Sequence, residues 1–231
     1  MQGRWIVSPN VYWVEKRNKR MGIPSLCSIE SPNVPEVTRG KMEVADVTMT
    51  PEEFMTAWNT AVDGPLLRFD PEALEAVPIS EEARRFLYTA GLPADSAPYL
   101  EFRSGEGRLS DLKTAFGMPR EYSAYWLLGT TGYGDPVCLK AGSSQVVCIR
   151  MDRGGTEWFI NSSVPQFAEF LLIYAELVQR TIRENGPDAF LENDIPQEIL
   201  RWAVGEFGRI DPAGFAHGTF WREEVEERLR P

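Results

Sequence analysis

Between residues 124 and 161, four short apolar segments are separated by turns too tight for anything but hairpins. AYWLLGT (124–130), PVCLK (136–140), QVVCIRM (145–151) and TEWFIN (156–161) are rich in β-branched and aromatic residues and are punctuated by glycine. Parallel neighbours would need a crossover of a dozen or more residues, so these strands form an antiparallel meander. Side chains alternate along a strand. On the second and third strands this places Val137, Leu139, Val147, Ile149 and Met151 on one face, and Cys138, Lys140, Cys148 and Arg150 on the other. A three-residue loop, 142–144, sets Cys138 opposite Cys148. In a reducing compartment that reads as two small side chains paired on a sheet and not as a redox couple.

Helical signals flank the meander. Thr50-Pro51-Glu52-Glu53 is a capping box with proline at the first helical position. Asp70-Pro71 opens a short helix in the same way, Ser80 caps SEEARRFLYTA, and Ser110-Asp111 starts a short helix that Gly117 and Pro119 end. After the strands, Ser163-Val164-Pro165-Gln166 reads as a second capping box. The helix it opens carries Phe167, Phe170, Leu171, Tyr174, Leu177, Val178 and Ile182 at helical spacing, a stripe that must lie on the sheet. Asp194 is expected to cap an amphipathic helix with Ile199, Leu200, Ala203, Val204 and Phe207 inward, and Thr219 precedes a last helix, FWREEVEERL. Helices, then a run of strands, then helices make the fold class α+β. Residues 1–48, broken by Pro9, Pro24, Pro32 and Pro35, read as a loosely ordered extension, or as sequence upstream of a start at Met42 or Met49. Residues 49–231 read as the globular domain.

The string TTGYGDP (130–136) resembles an ion-channel filter, but a filter needs a spanning segment of about 20 apolar residues. The richest apolar run, FLLIYA, is flanked by Glu169 and Glu176. As a phosphate loop the string also fails, because it lacks the Gly-Lys-Ser/Thr entry into a helix and carries Asp135 where a phosphate would sit. Turn chemistry explains the glycines and Asp135: Gly132 and Gly134 are expected to supply positive φ angles, and Asp135 to bond its own backbone. It does not explain Tyr133, an aromatic at the tip that suits protein contact.

Other chemistry is sparse. The single histidine, His217, lacks the nucleophile and orienting partner that a base requires. Adjacent glutamates such as Glu223/Glu224 and Glu226/Glu227 do not face one another on a helix and read as a solvated face. The three cysteines (Cys27, Cys138, Cys148) form neither a disulfide framework nor a zinc pattern. No metal, cofactor or catalytic residue is expected, and a binding protein is favoured over an enzyme. The formal charge is -10. Residues 1–45 hold seven bases against four acids, +3, which leaves -13 for the remainder. An acidic body repels nucleic acid and speeds encounter with a basic partner. The bases Lys16, Arg17, Lys19 and Arg20 beside Tyr12 and Trp13 keep a nucleic-acid role for the tail as the least favoured reading.

Several of these pieces, in order, resemble the SUKH superfamily, and within it the fourth subgroup, the immunity proteins of polymorphic toxin systems. They are Leu128-Gly129, Gly134-Asp135-Pro136, Gly142, Phe159-Ile160-Asn161-Ser162-Ser163, and Phe167 with Leu171, preceded by FLYTAGLP at 86–93. The resemblance covers about residues 80–178. It implies an α+β fold with an antiparallel sheet backed by helices, and a cytoplasmic protein that binds and occludes a toxin, with no shared catalytic residues. The toxin it implies is a nuclease or deaminase domain, basic in the nuclease case. Contact candidates are Tyr133, Asp135, the polar sheet face of Lys140 and Arg150, and the acidic helix residues Glu223 and Glu224. The rival readings are a protein-interaction scaffold outside immunity and, behind it, a small enzyme using Asp135 and His217.

Overall fold

A computed structural model describes residues 48–102 and 107–229. The extension expected at residues 1–48 lies outside them, Thr48 apart. The six-stranded sheet runs β3 (Asp95–Ser96), β4 (Leu100–Glu101), β5 (Tyr125–Thr131), β6 (Pro136–Lys140), β7 (Val146–Arg150) and β8 (Thr156–Asn161). Spatial order follows chain order and every neighbouring pair is antiparallel, so the expected meander forms, extended by two short strands before it. A separate pair joins β1 (Leu66–Leu67) to β2 (Leu92–Pro93). The fold is α+β.

Helices α1 (Pro51–Ala57), α2 (Thr60–Asp63), α3 (Pro71–Glu75) and α4 (Glu81–Thr89) precede the sheet. Each begins at an expected or equivalent cap. Thr50 and Glu53 close the full capping box, and its hydrogen bonds hold the Glu53 carboxyl below its ordinary range. Helix α5 (Leu112–Phe116) starts at Asp111 and ends at Gly117, whose φ of 66° terminates it without a Cβ clash. A 3-10 turn, Arg120–Ala124, leads into β5.

The expected stripe lies where the apolar pattern requires. Helix α6 (Val164–Asn185) buries Phe167, Phe170, Leu171, Tyr174 and Leu177 in one cluster with Leu128, Val137, Leu139 and Ile160 of the sheet. Each such side chain contributes roughly 1.5–3 kcal/mol of burial. Ser163 caps α6, but the second capping box is incomplete. Gln166 Oε1 accepts from the Ser163 hydroxyl at 2.9 Å and not from its backbone N–H, and the Gln166 amide N–H donates to the Ile210 carbonyl at 3.0 Å. Helix α7 (Gln197–Ile210) starts at Pro196 and not at Asp194, because proline fixes the entry dihedral without a side-chain cap. Its inward residues Ile199, Leu200, Ala203 and Phe207 are those expected, while Val204 is half-buried. Helix α8 (Phe220–Leu229) drives Trp221 between α6 and α7, where its ring meets Phe170 at 5.5 Å, Tyr174 at 5.8 Å and Phe207 at 5.7 Å.

A buried polar lock holds this wedge. Trp221 Nε1 donates to Asn161 Oδ1 at 2.8 Å, and Asn161 Nδ2 donates to Asp211 Oδ2 at 3.1 Å. Asp211, 2% exposed, also accepts from the Ser162 backbone N–H at 2.8 Å and its hydroxyl at 2.9 Å. The end of β8, the end of α7 and the start of α8 are thereby one unit. Gly129 has a comparable duty on the sheet: a Cβ there would run into the Glu101 carbonyl, so only glycine lets β4 approach β5 at its bulge.

The cysteine pairing differs from expectation. Cys138 stands opposite Val147, and Val137 opposite Cys148. The loop holds four residues, 141–144, because Lys140 N–H bonds the Gln145 carbonyl at 2.9 Å. It is anchored to the start of α4: Gly142 N–H bonds the Pro78 carbonyl, and Ser144 accepts from the Ser80 N–H at 2.7 Å while holding a φ of 58°. One added loop residue inverts the whole third strand. Val146 and Cys148 therefore face the main core, and Cys138, Val147 and Ile149 face a second cluster with Leu112. The thiols lie on opposite faces of the sheet. Met151, expected inward, is 49% exposed because β7 stops at Arg150 and the chain turns.

Two outcomes follow for the fold. Asp211→Ala strands the buried Asn161 donor and two part-buried Ser162 donors and is expected to cost about 3 kcal/mol, a fall of roughly 6–12 °C in a thermal melt; an unchanged melt would mean the lock contributes nothing. Burial, then the Asp135 charge, pushes the Cys148 thiol up to about 12, and burial likewise raises Cys138. In a Cys27→Ser variant both thiols are expected to resist a thiol reagent at pH 8 until urea is added, and mild oxidant is expected to leave them unlinked.

Candidate functional site

Three turns meet at one end of the sheet: residues 97–99, 132–135 and 151–155. They are bonded to one another. Gly132 N–H donates to the Tyr99 carbonyl at 2.6 Å, and the Met151 N–H donates to Asp135 Oδ1 at 2.8 Å. Within the central turn, Thr131 N–H bonds the Asp135 carbonyl, and the Thr131 hydroxyl accepts from the N–H groups of Tyr133 and Asp135. Gly134 supplies a φ of 85°. The expected turn forms, but two of its residues act differently. Gly132 has no positive φ and instead makes room for Tyr99, whose Cβ lies 3.0 Å from where a Cβ on Gly132 would stand. The Asp135 side chain bonds the Met151 N–H and not its own backbone. Tyr133 stands 73% exposed, and Met151, on the turn bonded to this one, is also exposed.

Arg150 leads into this end from β7. Its guanidinium lies 4.4 Å from the centre of the Trp158 ring, with Glu223 at 3.8 Å and Asp152 at 3.9 Å. Tyr133, Asp135, Arg150 and Glu223 thus belong to one neighbourhood. Lys140 does not. It ends β6 away from the turns and, because of the inverted register, on the sheet face opposite Arg150. There it pairs with Glu157 at 2.8 Å, and Tyr125 donates its hydroxyl to the same carboxylate at 2.7 Å. Burial and that carboxylate push the Tyr125 hydroxyl up to about 12. The polar sheet face expected to join Lys140 and Arg150 does not exist. α5 and the 3-10 turn instead cover it with Leu112, Met118 and Tyr122 over Cys138, Val147 and Ile149.

Glu224 points inward. Its side chain, 13% exposed, accepts from the Tyr174 hydroxyl at 2.8 Å and from Arg228 at 3.1 Å, while Arg228 Nε donates to Tyr174 at 3.0 Å. Burial, reinforced by the Glu224 charge, raises Tyr174 well above its ordinary value. This triad clamps α8 to α6. His217 is exposed in the segment before α8, where Trp158 Nε1 donates to the Gly218 carbonyl at 2.9 Å.

Met151 was not legible from alternation, although the glycine pair 154–155 was the signal that the strand ends early. Both glycines hold positive φ. Beside the turns, a hollow of about 50 Å³ is lined by Pro98, Tyr99, Leu100, Gly132, Phe190 and Arg228. That is far below the roughly 300 Å³ at which sites that enclose a small molecule begin.

The model for a family described as "SUKH-4 immunity protein" matches residues 52–227. Searches of the curated proteins and of the solved structures found no match.

The four clustered residues and Glu224 divide by what they bond. Tyr133→Ala is expected to leave stability to urea within about 0.5 kcal/mol of the parent. Asp135→Ala should cost about 1–2 kcal/mol through the lost Met151 bond, and Glu224→Ala about 3 kcal/mol by leaving Arg228 and Tyr174 without their acceptor. Equal losses in all three would contradict the division.

Proposed function

This chain belongs to the SUKH-4 immunity protein family, and from that premise we propose that it binds a toxin protein and neutralises it by occlusion. The match over residues 52–227 carries the reading. The structure gives it a physical form. The family-like segments Gly129, Gly134-Asp135 and Asn161-Ser162 bond or pack the chain to itself, so what they build is a rigid support. On that support Tyr133 and Met151 are held on turns already tied together, so burying them against a partner costs little further ordering. Tyrosine in such a position is a frequent source of binding energy.

The partner this surface suits is a basic toxin domain, a nuclease above all, because a protein that acts on phosphates concentrates Lys and Arg. An inhibitor with a formal charge of -10 is steered to such a surface. Among the described residues no helix is long and apolar enough to cross a membrane. We place the encounter in the cytoplasm, and we read the chain as a stoichiometric binder without catalysis of its own.

The test is co-expression with a candidate toxin-domain protein from the chain's own gene neighbourhood. Growth is expected to recover, and the two chains are expected to co-purify at a fixed ratio. Tyr133→Ala should weaken the complex about 30-fold or more, equivalent to about 2 kcal/mol. No recovery of growth and no complex would reject the proposal.

A further inference from the structure

The hollow beside the turns does not end there. A second one, lined by Trp58, Val62, Asp63, Ala175 and Val178, shares Asp95, Ser96 and Ala97 with the first. Together they make one groove. It begins at Gly132, next to Tyr133, crosses the edge strand β3, and ends between α2 and α6.

Its walls are mainly apolar, from Trp58 and Val62 at one end to Leu100 and Phe190 at the other. Three carboxylates, Asp63, Asp95 and Glu101, break that lining. Asp63 and Asp95 have no side-chain hydrogen bond or ion pair among the described residues. Asp63 is half-buried, and burial, followed by the Glu176 charge, raises its carboxyl above the ordinary value. The cations on this flank are engaged elsewhere. Arg180 and Arg183 both hold Glu176, and Arg228 holds Glu224. Asp95 is exposed. The half-buried Asp63 carboxylate, uncompensated beside apolar surface, is costly until a cation arrives, and a cation carried on an apolar segment meets both halves of the lining. The far end adds Val62, 41% exposed.

We propose that this groove is the second half of the toxin-docking surface and takes a segment of the partner in which Lys or Arg is flanked by apolar side chains. The basic group is placed at Asp63 and Asp95, and the apolar groups lie along Trp58, Val62 and Phe190. This rests on the proposed immunity function and extends it. The docking surface runs from the Tyr133 turn across β3, and the partner is recognised by a basic, apolar strand or loop and not by charge alone.

The experiment uses the full chain with the same candidate toxin-domain protein. Asp63→Lys with Asp95→Lys is compared with the conservative pair Asp63→Asn with Asp95→Asn, each checked first for an unchanged melt. The lysine pair is expected to lower the association rate at least tenfold at low salt, with the effect shrinking in about 0.5 M NaCl, and the asparagine pair to do so more weakly. In the parent complex a zero-length carbodiimide should link Asp63 or Asp95 to partner lysines. If the parent forms no complex, the immunity reading itself fails. A parent complex that both variants match in rate and affinity would overturn the groove while leaving that reading intact. Links from Asp63 or Asp95 to Lys16 or Lys19 of the same chain, with none to the partner, would also overturn it and assign the groove to the N-terminal segment.

Discussion

Trp221 is the piece on which the arrangement depends. Its ring fills the space where α6, α7 and α8 converge, and its indole N–H reaches Asn161 at the end of β8. Burying an indole N–H without a partner costs free energy, and Asn161 removes that cost for Trp221. Asn161 can serve only if its own amide is held, which Asp211 does. The chain of bonds joins the last strand to the last two helices. The Tyr174–Glu224–Arg228 triad then fixes the other end of α8 against α6. Between these two anchors the helical layer cannot slide over the sheet, and the turns at the sheet's end inherit that rigidity.

Much of the fold was legible because it rests on local chemistry. Capping residues, glycine turns and the Phe-rich stripe after Ser163 are short-range signals, and the strands between them were too closely spaced to be anything but hairpins. What failed was long-range. The 141–144 loop takes its length from bonds to Pro78 and Ser80, some sixty residues earlier, and no local rule foretells that. Its one extra residue inverted β7, separated Cys138 from Cys148, and moved Lys140 and Arg150 to opposite faces. Asp194 lost its role to Pro196 for a local reason, since proline presets the helix entry.

The candidate site was legible in part, and for the same reasons. Tyr133 could be singled out because turn chemistry accounted for all its neighbours. Glu223 and Glu224, adjacent in sequence, read alike as a solvated pair. Yet one lies beside Arg150 at the surface, and the other is turned inward to two buried partners. Adjacent positions on a helix point about 100° apart, so helix packing decides which is which. Asn161 and Ser162 stood out as motif residues, but their partner Asp211 is fifty residues away, and only the fold brings it near.

The face proposed to meet the toxin consists of the three bonded turns with the groove beside them. Hydrogen–deuterium exchange of the chain alone and in complex with the candidate toxin-domain protein tests this most directly. Slowed exchange is expected in residues 97–99, 132–135 and 151–155 and along β3, with little change over α5 and the 3-10 turn. Protection confined to α5 and the 3-10 turn, with the three turns exchanging as in the free chain, would contradict it.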